Sequence, residues 1–237
     1  LEQTIGQLEG EVQAREDFVG AFAHELKTPL TSIIGYADML RSRKLDEEKS
    51  LLSANYIYTE GKRLETMSLR LLDIIVTKKE GIRAQKVQAE VFFEYLRSMF
   101  LPNGDMEFVF SYDEGVMWAD VSLIQTVLVN LIDNACKASE TGGRIEVKGY
   151  AGQAGYRFTV RDFGIGIPGE ELSKITQAFY MVDKSRSRSR NGAGLGLALC
   201  TEILALHGSQ LEIESTPGEG TMAGFILQEG EDGREHG

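Results

Sequence analysis

Three groups of residues in this 237-residue chain have types and spacings suited to chemistry. The first lies in "FAHELKTPLTS", Phe22 to Ser32. It holds His24, one of three histidines, beside the carboxylate of Glu25 and one turn before the hydroxyl of Thr28. Residues four apart are neighbours on a helix surface. An imidazole flanked by a carboxylate is a candidate nucleophile. The carboxylate takes the Nδ1 proton or fixes the tautomer, and Nε2 is left to attack. The same histidine could equally stand idle on a solvated helix face, and this segment alone leaves both readings open. Pro29 follows inside the same helical pattern. An interior proline removes a hydrogen bond and costs roughly 3 kcal/mol.

The second group is in "NLIDNACK": Asn130 and Asn134 are four apart, and Lys137 lies three further on. All three share one face of an otherwise apolar helix. Amide oxygens can ligate a hard cation, and a lysine can pair with phosphate. The third group is glycine-rich. "DFGIGIP", Asp162 to Pro168, follows a strand pattern, and "NGAGLGLAL", Asn191 to Leu199, opens a helix. Glycine lets a backbone approach a phosphate closely, and a helix N-terminus offers free N–H groups. The P-loop pattern, G-x-x-x-x-G-K followed by Ser or Thr, is absent. Each piece taken singly reads as a turn or a polar stripe facing solvent. Together they read as a nucleotide-phosphate site.

The elements that must position these groups are legible from periodicity. Leu1, Ile5, Leu8, Val12, Arg15, Val19, Phe22 and Leu26 alternate steps of four and three, a coiled-coil seam broken only at Arg15. The register runs on through Pro29 to Ile33, Tyr36 and Leu40. With Phe22 at position d, His24 falls at f, the most exposed position. "RSRKLDEE" breaks the pattern, and Asp46 is placed to cap a second helix from about Glu47 to Lys79. That helix is expected to bury Leu51, Leu52, Ile57, Leu64, Met67, Leu71, Leu72 and Ile75. A single hairpin has too little core, so two copies should pair into a four-helix bundle.

The periods change after "KKEGIRAQK", near Gly81. "AEVFFEYLRSMF" reads as a helix, "MEFVFSY" and "GVMWAD" as strands, and the segment after Asp120 as a strong helix capped by Asp120. "GRIEVKGYA" and "YRFTVRDFG" alternate as strands. "PGEELSKITQAF" is expected to be a short helix started by Pro168, and a later helix is closed by Gly208. "SQLEIES" and "GTMAGFILQ" complete a mixed sheet of about five strands. The expected fold class is α+β in two domains: an antiparallel helical hairpin forming a dimeric bundle, then an α/β sandwich. The divisions expected are a coiled-coil helix over 1–17, the hairpin over 18–80, the sandwich over 81–228, and a disordered acidic tail over 229–237.

Bulk properties narrow the partners. Hydrophobic residues make up 42% of the chain, enough for real cores, and the net charge is −11. An acidic surface argues against nucleic acid and against a negatively charged membrane surface. No apolar run reaches the roughly 18 residues that span a bilayer, and no stretch of this chain is expected to be a signal peptide. Cys136 and Cys200 lie in apolar helical stretches without metal-ligand spacing, as small buried thiols would in a reducing cytoplasm. The chain begins at Leu1 in mid-pattern, which leads us to expect further sequence upstream.

"FAHELKTPLTSIIGYADML" resembles the phosphoacceptor motif of sensor histidine kinases of the HisKA dimerisation type. "NLIDNACK", "DFGIGIP", "QAFY" and "GAGLGLAL" resemble the family's N, G1, F and G2 motifs in the family's order, and "GEGT" resembles a G3 motif. The resemblance implies a homodimeric phosphotransfer domain followed by a Bergerat-type ATP-binding domain, with ATP and Mg²⁺ as cofactors. By motif, His24 would be the phosphoacceptor, Glu25 its neighbouring base, and Thr28 a residue that positions water when the protein dephosphorylates its partner. Asn134 would hold Mg²⁺, with Asn130 and Lys137 near the phosphates. Asp162 would accept from the adenine amino group, and Gly164 and Gly166 would shape that pocket. Gly192, Gly194, Leu195 and Gly196 would line the phosphates, and Thr221 would add a contact near the base. The implied partner is the receiver domain of a response regulator. The implied setting is cytoplasmic, with any membrane anchor in upstream segments.

Two positions depart from a simple reading. Related ATPases of this fold carry a glutamate that activates water where this chain has Asn130. An amide cannot act as a general base, so the pattern favours phosphoryl transfer over hydrolysis. In "QAFYMVDKSRSRSR", Ala178 and Met181 replace the proline and arginine that the family often shows. Met181 cannot stabilise a transferring phosphoryl group. Lys184, Arg186, Arg188 or Arg190 could substitute from a lid, or the basic run could simply be solvated. A scaffold that binds ATP without transfer and a plain ATPase remain the alternatives at this point.

Overall fold

The first unit is built on two long helices. The structure, a computed structural model, describes residues 2–102, 104–182 and 194–228, leaving aside the side chains of 2–18, 70, 73, 74 and 76–80. Helix α1 spans Glu2–Ser42 without interruption at Pro29, and α2 spans Glu47–Glu80. Asp46 caps α2 as its position predicts: Oδ1 accepts from the Lys49 backbone N–H at 2.8 Å, and Oδ2 accepts from Lys49 Nζ at 2.8 Å. Tyr36 of α1 stacks on Tyr56 of α2 with ring centroids 4.6 Å apart. Met67 is fully buried, and Pro29 is buried with it.

Within one hairpin the burial expected on α2 is met only in part. Leu51, Leu52, Leu72 and Ile75 are 63%, 55%, 55% and 53% exposed, while Ile57, Leu64 and Leu71 are half-buried. Two helices in contact can cover only one stripe on each other, so the second apolar stripe stays open in one hairpin. Leu30 and Ile34 of α1 are exposed for the same reason.

The second unit runs from β1 (Gln85–Gln88) and α3 (Ala89–Phe100) through β2 (Glu107–Tyr112), β3 (Val116–Ala119) and α4 (Val121–Ala138). It continues with β4 (Arg144–Gly152), β5 (Gly155–Asp162), α5 (Gly196–Leu206), β6 (Glu212–Thr216) and β7 (Gly220–Leu227). The main sheet has the order β2-β4-β5-β7-β6. β2 is parallel to β4, and the other neighbours are antiparallel. A four-residue strand that the sequence pattern did not reveal, β1, pairs antiparallel with β3, Gln85 opposite Ala119. Helices α3, α4 and α5 supply the covering layer, with Phe92, Phe93, Leu128, Ile132 and Ile203 buried. Phe158 on β5 is the hub of the aromatic core, packing edge-on to Phe92 at 5.6 Å and stacked on Phe225 at 5.2 Å.

The short helix expected over "PGEELSKITQAF" is a succession of turns instead. Glu171 N–H bonds to Pro168 O, Lys174 N–H to Glu171 O, and Gln177 N–H to Lys174 O, each at 2.9 Å. Such three-residue bonds close turns and do not build an α-helix. Two compact units result: Leu1–Leu72 with Ala178–Leu195, and Asp73–Gln177 with Gly196–Gly237. Among the described residues, no helix is long and apolar enough to cross a membrane.

One histidine serves the fold. His207 Nδ1 lies 2.8 Å from Ile203 O, and Nε2 accepts the backbone N–H of Asp120 at 3.1 Å. These partners require a neutral ring with its proton on Nδ1. Burial pushes the His207 pKa below 6.5, against smaller opposing effects of Ile203 O and Asp120. The unfolded chain therefore binds the proton more readily. Stability contributed here is complete above the unfolded value and is lost as pH falls below it. Urea midpoints should drop between about pH 7.5 and about pH 5.5, and His207→Gln should show a shallower drop over that window.

Candidate active site

The last residue of β5, Asp162, anchors the glycine-rich loop that follows. Asp162 is 4% exposed. Oδ1 accepts the backbone N–H groups of Gly164 at 2.9 Å and Thr221 at 3.3 Å. Burial raises its pKa above the usual carboxylate value, and the two N–H bonds partly offset that rise. Gly164 then passes over the last turn of α4, where Ile165 N–H bonds to Ala138 O at 3.2 Å. A Cβ at Gly164 would run into that carbonyl. Gly166 has φ +64°, and a Cβ there would strike the carbonyl of Thr216. The loop is thus held against α4 and β6 at distances that only glycine allows.

Thr221 joins the same cluster through Ser215. Ser215 Oγ accepts from Ile167 N–H at 2.8 Å, donates to Gly220 O at 2.9 Å, and lies 2.8 Å from Thr221 Oγ1. With its proton on Gly220 O, Ser215 takes the Thr221 proton. The structure therefore brings together Asp162, Gly164, Gly166 and Thr221, and adds Ser215, Gly220 and the Ala138 carbonyl. Sequence reasoning missed Ser215 and the Ala138 carbonyl, whereas Gly220 lies within "GEGT". A serine inside an alternating strand carries no motif, and a carbonyl carries no residue signature at all.

On α4, Asn130 is buried, and its Nδ2 donates to Thr126 O of its own helix at 2.9 Å. Asn134 and Lys137 are half-buried further along. Cys136, expected to be buried, is half-buried. Burial first, then the Asp133 charge, pushes its thiol up to about 11, so it is no thiolate near neutrality. Gly196 opens α5, and Gly194 has φ +66°, outside the helix. Leu195 is fully buried, which leaves its backbone as the part able to meet a ligand. Phe179 N–H bonds to Gly194 O at 2.7 Å. Phe179 holds φ +66°, the one non-glycine residue with positive φ among the described residues. Lys184, Arg186 and Gly192 lie outside the described residues, as do Arg188 and Arg190.

On α1, His24 is exposed, as its f position requires, and Thr28 one turn on is half-buried. Glu25 departs from the expected arrangement. Successive residues turn by about 100° around a helix, so Glu25 lies off the face that His24 occupies, and here it lies on the side toward α2. Glu25 is 6% exposed, and its Oε2 accepts from Arg63 Nη2 of α2 at 3.1 Å. The carboxylate expected beside the imidazole is engaged inside the hairpin.

Residues 14–74 match the His Kinase A (phospho-acceptor) domain, and residues 119–231 match the histidine kinase-, DNA gyrase B- and HSP90-like ATPase family. The chain belongs to the sensor histidine kinases. Sensor protein SrrB of Staphylococcus aureus (strain NCTC 8325 / PS 47) is 28% identical over 223 residues, covering 91% of this chain. The chain spans 38% of the length of that relative. Among solved structures, the mycobacterial sensor histidine kinase MprB is similar at 26% identity and TM-score 0.53, over 61% of this chain and 97% of MprB. Histidine kinase ThkA, in its complex with response regulator protein TrrA, shares the fold at TM-score 0.74 and 24% identity, over 94% of this chain and 66% of that one. In this kinase chain the close approach at Gly164 makes a test of the pocket. Gly164→Ala should push the loop off α4 and weaken ATP binding by about tenfold or more, read by titration calorimetry, because a buried contact of this kind has no room to relax.

Proposed function

We propose that this chain is the catalytic core of a sensor kinase that moves the γ-phosphoryl group of ATP onto His24 and then onto an aspartate of a response-regulator receiver domain. The observation that carries this reading is an outward-facing His24 in the same chain as the buried, doubly bonded Asp162 carboxyl group. Asp162 accepts from the adenine amino group, which selects adenine over a base with a carbonyl at that position. Gly194, Leu195 and Gly196 bring backbone N–H groups toward the phosphates at the start of α5. Lys137 and Asn130 add charge and hydrogen bonds there.

Mg²⁺ fits the donor set. Asn134 offers an amide oxygen, and the described residues hold no cluster of three or more His, Cys, Asp and Glu that would favour another metal. When bound, the ion neutralises phosphate charge. The imidazole nitrogen of His24 attacks the γ-phosphorus, a P–N bond forms, and the bond to ADP breaks. The histidine's other ring proton is held or taken by a carboxylate, which is the role of Glu25. Asn130 supplies no base for water, so ATP is kept for His24.

The apolar stripe of Leu30, Ile34, Leu51, Leu52, Leu72 and Ile75 supports pairing of two hairpins into a four-helix bundle. The ThkA structure contains a response regulator and the ShkA structure contains AMPPNP, in keeping with the partner and the nucleotide proposed here. The setting proposed is cytoplasmic, on a longer, membrane-anchored sensor. Incubation with γ-labelled ATP and Mg²⁺ should give label that survives alkali, is lost in acid and is absent from His24→Gln. ATP binding with no label on the wild-type chain would overturn the reading in favour of a scaffold.

Thr28, one turn beyond His24, supports a second activity, removal of phosphate from the regulator with Thr28 orienting water. Thr28→Ala should slow regulator dephosphorylation by about tenfold or more while autophosphorylation changes little, in parallel assays of the two reactions.

A further inference from the structure

Within the hairpin, one guanidinium faces two carboxylates. Arg63 is 3% exposed; its Nη2 lies 3.1 Å from Glu25 Oε2, and its Nη1 lies 3.7 Å from Glu60 Oε2. The first distance is a hydrogen bond and the second is not. Glu60 Oε2 and Arg63 Nε are both buried without a hydrogen-bond partner. The cluster therefore holds an unmatched acceptor and an unmatched donor on residues already within ion-pair reach. Glu25 holds the guanidinium by a hydrogen bond, while Glu60, whose side chain is 23% exposed, stands within ion-pair reach of its other nitrogen without one.

The backbone at Glu25 is suited to movement. In a helix, the N–H of residue 29 would bond to the carbonyl of residue 25, and Pro29 has no N–H. The turn that carries His24 and Glu25 is thus the one that lacks a helix bond. Its carboxylate points inward to Arg63 while the imidazole next to it points outward.

We propose that Arg63 is a positioning residue that parks Glu25 away from His24, and that Glu60 is the alternative acceptor that takes Arg63 when Glu25 leaves. Glu25 then reaches the imidazole proton, and Glu60 and Arg63 satisfy each other's unmatched groups. No bond other than hydrogen bonds changes, and the net charge of the cluster is altered only by the departure of Glu25. The inference rests on the reading of His24 as phosphoacceptor, and it adds a gate within the hairpin for the phosphorylation step.

The test compares autophosphorylation rates of the whole chain for the wild type, Glu60→Gln, Arg63→Met and the double variant, with thermal midpoints and KM for ATP alongside. Removing the charge of the alternative acceptor weakens its hold on Arg63 and should leave Glu25 parked: Glu60→Gln should lower kcat by about tenfold with KM unchanged, as a shift of a two-state population does. Arg63→Met should react at least as fast as the wild type, and the double variant should match Arg63→Met. If Arg63→Met does not fold, Arg63→Lys takes its place. An ammonium holds a carboxylate less firmly than the guanidinium fork, so it should also raise the rate. A merely structural ion pair predicts the opposite pattern, with every variant slower and the double variant slowest. Label on wild-type His24 with Glu60→Gln equal to wild type, or with the double variant as slow as Glu60→Gln, overturns the gate alone. No label on the wild type overturns the phosphoacceptor reading and the gate together.

Discussion

The nucleotide side of this protein depends on one close approach, the passage of the backbone at Gly164 over the Ala138 carbonyl at the end of α4. That contact sets where the loop after β5 runs. It lets the Gly164 N–H reach Asp162 Oδ1, and it leaves room for Thr221 to supply the second N–H from β7. A buried carboxyl group without such donors would carry a large desolvation penalty. Here β5, α4 and β7 all contribute, so the carboxyl group proposed to accept from the base is held by three elements that are far apart in the chain. Ser215 on β6 ties the loop's far end to the same place through Ile167 and Gly220.

The phosphoacceptor side obeys a different constraint, the angular step of the helix. It places His24 outward and Glu25 inward from adjacent positions. The same geometry that exposes the histidine proposed as phosphoacceptor separates it from the carboxylate proposed as its base. Arg63 and Glu60 on α2 decide what the inward carboxylate meets. Pro29 removes the one backbone bond that would otherwise stiffen that turn. An interior proline, costly in an ordinary helix, is tolerated here at the point where local adjustment has a use.

Much of this was legible from residues alone. The four-and-three spacing from Val19 to Leu40 placed His24 on the exposed face. Asp46 and Asp120 were readable as caps because a short acceptor before an apolar helix has few other uses, and both cap as expected. The glycine segments and the face of Asn130, Asn134 and Lys137 were readable through their order along the chain. Other expectations were met in part within one hairpin, or failed, for physical reasons. Leu51, Leu52, Leu72 and Ile75 carry a helical period, but a period does not say which of two stripes one hairpin can cover. "PGEELSKITQAF" has helical composition, yet three-residue hydrogen bonds close it into turns. β1 is too short for alternation to register.

The sequence by itself determined the types of group available: one outward histidine, a carboxylate at the end of a strand, glycines where no side chain fits, and an amide where a related hydrolase has a base. These are properties of single positions and of spacing along one element. Only the tertiary structure decided the partners. It bonded Asp162 to Gly164 and Thr221, made Ser215 a hub, and turned Glu25 away from His24 onto Arg63, 38 residues further along. The physical reason is that hydrogen bonds and ion pairs depend on distance and direction in space. Periodicity reports which face a residue occupies, and only packing between elements says what stands opposite that face.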